Sequence, residues 1–193
     1  MNLILITSVS YALSLSSLFG FGGPKNIVDR VQRSIVSVTY EKSENDHMSC
    51  TGFVINSAKG QVLTASHCVA DLDVVQVDGV DSLVIEKGET LALLSIIPMS
   101  RPSLDIQKDN PSIGDQTQTF GFGWGTMKVL TRHVAGFTKE GSDIIIDGPL
   151  IPGMSGGPVI DAHGKVVGIN MASNDIVGVL CGAQEIREFL KSK

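Results

Sequence analysis

Gly153-Met154-Ser155-Gly156-Gly157-Pro158 places a serine hydroxyl among glycines, with Pro152 just before the run. Glycine permits positive φ and leaves no side chain between a backbone N–H and a ligand. The run therefore predicts a sharp turn that exposes donors around a hydroxyl, a setting suited to a nucleophile beside an oxyanion hole. A Gly/Pro hairpin turn between Ile151 and Val159 would use the same residues without chemistry. Upstream, Leu63-Thr64-Ala65-Ser66-His67-Cys68 carries an apolar strand onto a histidine and a cysteine. A neutral imidazole accepts a proton near pH 7, so His67 and Ser155 supply the types needed for a base and a nucleophile. His47, His133 and His163 lack such a setting and are expected to be solvated or structural.

These two stretches resemble the trypsin/chymotrypsin-like serine proteases, which carry Leu-Thr-Ala-x-His-Cys in one barrel and Gly-x-Ser-Gly-Gly-Pro in the next. Thr51-Gly52-Phe53-Val54-Ile55, Gly164-Lys165-Val166-Val167-Gly168-Ile169-Asn170 and Ile27-Val28-Asp29-Arg30-Val31 are similar to the bacterial Deg, or high-temperature-requirement, branch. The resemblance runs over residues 25–190 and is to the protease core. It implies two packed six-stranded antiparallel β-barrels and a serine endopeptidase acting on peptide or protein substrates, with no metal or organic cofactor. His67 would be the general base, Ser155 the nucleophile, and the N–H groups of Gly153 and Ser155 the oxyanion hole. It also implies a disulfide between Cys50 and Cys68, which would suit an oxidising compartment; two buried free thiols are the other reading. Cys181 is left over as a small buried hydrophobe. The primary specificity pocket would be walled by residues near Pro149–Pro152, Asn170–Ser173 and Ile176–Leu180. Asp175 is the only charge near those walls, so a small or medium apolar residue before the scissile bond is expected.

The third catalytic position departs from the family. Where the family begins a strand with aspartate, this chain has Thr90 ahead of Leu91-Ala92-Leu93-Leu94, with Glu89 just before it. Glu89 could replace the aspartate through a one-residue bulge, Thr90 or a water could orient the imidazole in a weaker dyad, or the site could be silent. Adjacent strand residues point to opposite faces, which weighs against Glu89, whereas its length and place at the strand start favour it. Glu86 and Asp81 are weaker substitutes. Loss of the acid costs about 10⁴ in turnover, so the alternative to an active protease is a homologue that binds extended peptides in the inter-barrel groove.

The elements that must position these groups are written in short β-branched and apolar runs. Six lie at residues 34–40, 49–56, 61–68, 74–77, 82–87 and 91–96, and six more at 116–124, 127–137, 143–150, 157–161, 166–173 and 176–181. By itself the pattern establishes an all-β chain. Ile27, Val28 and Val31 predict a short entry helix, and Ile186, Phe189 and Leu190 an amphipathic C-terminal one. The expected organisation is a first lobe at 25–97 with His67, a connection at 98–114, and a second lobe at 115–193 with Ser155. Residues 1–20, apolar and serine-rich, are expected to be a signal peptide or membrane-targeting segment, placing the protein outside the cell or in the envelope. Contact with membrane is expected only through that segment. Of 193 residues, 42% are hydrophobic and 18% charged, enough for a core and against disorder. A net charge of −5 without a basic cluster argues against nucleic acid, and the Cys and His spacing against a zinc site.

Overall fold

The computed structural model describes residues 24–43, 46–98, 100–138 and 143–191. The expected leader at residues 1–20 lies outside these. In chain order the first barrel contains β1 (Ile35–Ser43), β2 (Asp46–Asn56), β3 (Gln61–Ala65), β4 (Val74–Val77), β5 (Val80–Lys87) and β6 (Leu91–Ser95). They pair antiparallel in the order β1-β2-β3-β6-β5-β4 and close through β1 and β4, where Val38 meets Val77. The second contains β7 (Gln116–Gly123), β8 (Thr126–Phe137), β9 (Asp143–Asp147), β10 (Pro158–Ile160), β11 (Val166–Ser173) and β12 (Val177–Gly182). It closes in the order β10-β11-β12-β9-β8-β7, with Val159 opposite Thr119. Closure removes the unpaired edges that an open sheet would present.

The runs that look uniformly apolar in sequence are strands buried on both faces. In β6, Ala92 and Leu94 fill the first barrel, while Leu91 and Leu93 point into a cluster shared with the second barrel. In β3, Val62 and Leu63 divide in the same way. The shared cluster also takes Ile35 and Phe53 from the first barrel and Phe120, Ile160 and Ile169 from the second. A separate, smaller cluster of Val134, Ile144, Ile146, Val159, Val167 and Leu180 fills the second barrel. One seam of desolvated side chains thus fixes how the barrels face each other, and burial of this kind stabilises by about 25 cal/mol per Å².

The helices and the connection also serve the seam. α1 (Pro24–Ser34) begins on proline, whose fixed φ suits a first helical position, and packs Ile27, Val28 and Val31 on the shared cluster. α2 (Ala183–Lys191) adds Ile186, Phe189 and Leu190. Between β6 and β7 the chain is stitched to both barrels. Arg101 Nη1 donates to Ile35 O at 2.7 Å, Leu104 N to Val54 O at 2.9 Å, and Val166 N to Asp105 O at 2.8 Å. Most strand boundaries shift by a few residues from the sequence runs, and two of the shifts have plain local reasons. β1 continues to Ser43 because the hairpin ladder with β2 continues to Asp46. β10 starts at Pro158 because Gly157 N is committed to a turn, donating to Met154 O at 3.0 Å.

Phe120 is fully buried in the seam. Phe120→Ala should lower unfolding free energy by about 3–5 kcal/mol, measured by denaturant titration, without changing the barrel signature in far-UV circular dichroism.

Candidate active site

β3 runs buried to Ala65, and the chain then turns through a single 3-10 turn, Ser66–Cys68, so His67 leaves the strand just before it is presented. Ser66 N donates to Thr90 O at 2.8 Å, and Cys68 is bridged to Cys50 in β2 with Cα atoms 5.8 Å apart. The turn is therefore held on both sides of the histidine. His67 is exposed, yet partial burial of its ring pushes its pKa below 6.5. A ring nitrogen of His67 lies within 4.8 Å of both bridge sulfurs. This has the spacing of a metal site, but the sulfurs are spent in the disulfide and supply no thiolate. Cys181 is buried and unpaired, and burial pushes its thiol pKa far up.

The serine turn, 151–157, comes from the other barrel. Gly153 and Gly156 adopt φ of +97° and +82°, in the left-handed region. A Cβ on Gly153 would sit 2.3 Å from Phe122 O, and one on Gly156 2.2 Å from Thr51 O, so backbone passes too close for any side chain. The N–H groups in this turn sort cleanly. Met154 N donates to Ile151 O, Gly156 N to Asn170 O and Gly157 N to Met154 O. Those of Gly153 and Ser155 have no acceptor among the described residues. Two free donors thus flank the half-buried Ser155, whose Oγ donates to Met171 O at 3.4 Å.

Two residues not singled out for a role by their own types brace this turn. Thr51, fully buried in β2, donates from its N–H to Ser155 O at 2.8 Å and from Oγ1 to Gly153 O at 2.7 Å. The same Oγ1 accepts from Phe122 N at 2.9 Å, while Thr64 Oγ1 donates to Thr51 O at 2.7 Å. Thr51 thereby ties the serine turn to the barrel that carries His67, and Cys68 Sγ reaches to 3.5 Å from Ser155 O. Asn170, also fully buried, donates through Nδ2 to Phe120 O and Met154 O, both at 3.1 Å. A polar residue inside an apolar strand is the signal that could have flagged each.

Glu89 is exposed and makes no hydrogen bond or ion pair among the described residues. With Thr90 it lines a cavity of about 500 Å³ together with Asn110, Asp143, Glu185 and Glu188. His67 makes no hydrogen bond to a carboxylate or to Ser155 among the described residues. Among the described residues, a carboxylate–imidazole pair at normal hydrogen-bond distance stands elsewhere, at His133 Nδ1 and Asp147 Oδ2, 3.1 Å apart on β8 and β9, both exposed. The His133 N–H and ring hold the Asp147 carboxyl below its usual range. Of the expected pocket walls, Leu150 N donates to Ser173 Oγ at 2.8 Å, and Gly178 faces the Leu150 side chain. The three segments therefore meet.

Two closed antiparallel barrels with a serine turn braced across their seam define the chymotrypsin type of fold. The trypsin-like peptidase domain model matches residues 50–169, and the chain belongs to that family. A probable periplasmic serine endoprotease, DegP-like, from Ectopseudomonas mendocina is 31% identical over 137 residues, 62% of this chain and 28% of that protein. The chain thus spans under a third of that relative's length. The active form of the Rv3671c protease from M. tuberculosis superposes with a TM-score of 0.75 at 22% identity, covering 86% of this chain and 82% of that one. The HtrA-type protease AlgW with tripeptide gives 0.75 at 21% identity, covering 87% and 62%. At such identity these structures speak for the fold.

Thr51→Val keeps the shape but leaves Gly153 O and Phe122 N without their partner. It should cost about 1–3 kcal/mol in chemical denaturation. His67 should titrate by NMR below pH 6.5, since burial disfavours its charged form. Between the folded and unfolded pKa values the unfolded chain binds more protons, so this group's contribution to stability falls as pH drops through that window.

Proposed function

We propose that the chain is the protease core of a serine endopeptidase, with Ser155 as nucleophile and His67 as general base. In this reading the first lobe spans 25–97, the connection 98–114 and the second lobe 115–193. Ser155 Oγ attacks a peptide carbonyl as His67 takes its proton. The tetrahedral oxyanion is held by the N–H groups of Gly153 and Ser155, and the proton passes to the departing amine as the acyl-enzyme forms. Water then reverses the sequence and frees the acid. The observation that carries the reading is the pair of unpartnered N–H groups flanking a hydroxyl on a turn braced to the histidine's barrel. Peptide or protein is the substrate class, in keeping with the tripeptide that accompanies the HtrA-type protease AlgW. Leu150 behind Gly178 supports a small or medium apolar side chain before the scissile bond.

Location in the periplasm or envelope is part of the proposal. It is supported by the name of the DegP-like relative and by a Cys50–Cys68 bridge, which persists in oxidising compartments.

In our reading the site is a dyad: no acid orients His67, and its hydrogen bond to Ser155, not made at rest, forms as substrate binds. Neither the Glu89 carboxylate, turned to the cavity with Glu185 and Glu188, nor the Thr90 hydroxyl makes a hydrogen bond to His67. The same arrangement is what favours the second reading, a homologue that binds peptides without cleaving them.

Single-turnover acylation by an activated ester, followed from pH 5 to 9, tests both. Ser155→Ala should abolish acylation. Glu89→Gln should leave the rate within about threefold, and Thr90→Asp should raise it by at least tenfold, within the about 10⁴ an oriented acid is worth. The acid limb should fall below pH 6.5, following His67. A rate in the parent equal to that of Ser155→Ala would select the binding homologue. A loss of orders of magnitude in Glu89→Gln would make Glu89 the orienter.

A further inference from the structure

On the seam, beneath α2, lies a cavity of about 800 Å³ that Ser155 and His67 do not line. Its floor is apolar: Leu93 and Leu104 are buried, and Ile106 and Leu190 half-buried. Its rim carries Lys59 from the β2–β3 turn, Lys165 from the β10–β11 turn, and Arg187 and Lys191 from α2, against one carboxylate, Asp105. None of these four cationic side chains forms a hydrogen bond or ion pair among the described residues. The chain as a whole has a net charge of −5, so carboxylates to neutralise them are in surplus and stand elsewhere.

α2 sorts its charges to produce this. Glu185 and Glu188 line the cavity that holds Glu89, while Arg187 and Lys191 line the cationic one. Arg187 and Lys191 are four residues apart on one helical face, where like charges repel. An anion bound between them would remove that repulsion.

We propose that this groove binds a short acidic stretch of polypeptide, with apolar side chains on the Leu93–Leu104–Leu190 floor and carboxylates along the cationic rim. The cations issue from three separate elements around an apolar trough, so a single head group cannot meet all four, whereas a chain bearing several carboxylates can. The floor is recessed behind long cationic side chains, which keeps it from a flat bilayer. The site is independent of the catalytic reading and would hold an acidic segment of a substrate or partner away from the cleft, raising its effective concentration there.

The test is fluorescence anisotropy with fluorescein-labelled acetyl-Leu-Glu-Asp-Leu-Glu-Leu-amide, using the full chain carrying Ser155→Ala so that the probe is not consumed. A peptide with lysine at each acidic position and phosphatidylglycerol vesicles form the other arms. The acidic peptide should bind, and raising salt from about 0.05 M to about 0.3 M should weaken it by screening. Arg187→Glu with Lys191→Glu should lower its affinity at least about tenfold, and Arg187→Lys should retain it. Should the α2 pair shift the unfolding midpoint, Lys59→Glu with Lys165→Glu tests the same rim on turns. Equal binding of acidic and basic peptides would overturn the proposal. So would affinity unchanged by both charge reversals, which places the peptide in the catalytic cleft, or binding to vesicles alone.

Discussion

The hydrogen bonds of Thr51 are the constraint on which the site rests. Its N–H and hydroxyl hold the carbonyls of Ser155 and Gly153 from across the seam. The Ser155 N–H shares a peptide plane with Met154 O and the Gly153 N–H with Pro152 O; Asn170 Nδ2 and Trp124 N hold those two carbonyls, so the two N–H groups point the other way, without acceptors among the described residues. Two free donors beside a half-buried hydroxyl are what the proposed oxyanion hole requires. Asn170 performs the same service from within the second barrel, fastening Met154 O of the turn and Phe120 O of β7.

Such a brace works only if the barrels cannot slide. Strands β3 and β6 supply that rigidity by being apolar on both faces, one filling their own barrel and the other the shared seam. The connection, α1 and α2 pack against this seam as well. The Cys50–Cys68 bridge, one residue from Thr51 on one side and one from His67 on the other, couples the brace to the base through covalent bonds. Packing, hydrogen bonding and the disulfide thus converge within a few residues of the seam, and His67 and Ser155 are carried on opposite sides of it.

Electrostatically the chain departs from its family in the direction of less support for the base. Burial alone acts on His67, and it lowers the pKa. A carboxylate on Nδ1 would stabilise the imidazolium formed during catalysis; here the nearby acids gather on the α2 side with Glu89. In the proposed mechanism, a His67 so placed takes up a proton less readily than a free imidazole and gains little when it must hold one. The same sorting of charge along α2 leaves Arg187 and Lys191 without partners and faces them into the apolar-floored groove.

The His67 and Ser155 turns and the all-β architecture were legible in the chain because their causes are local. Glycines around Ser155 impose the turn, an apolar run delivers His67, and β-branched runs divided by turn residues form strands. Neither the roles of Thr51 and Asn170 nor the direction of Glu89 could be read that way. Thr51 acquires its importance from Gly153, 102 residues away, and Asn170 from Phe120, 50 residues away. Sequence periodicity gives the face of a strand but not what crosses it. Glu89 illustrates the limit at its smallest scale. The choice between the imidazole and the α2 cavity turns on a bend at the start of β6 and on where α2 docks, and both follow from packing across the seam.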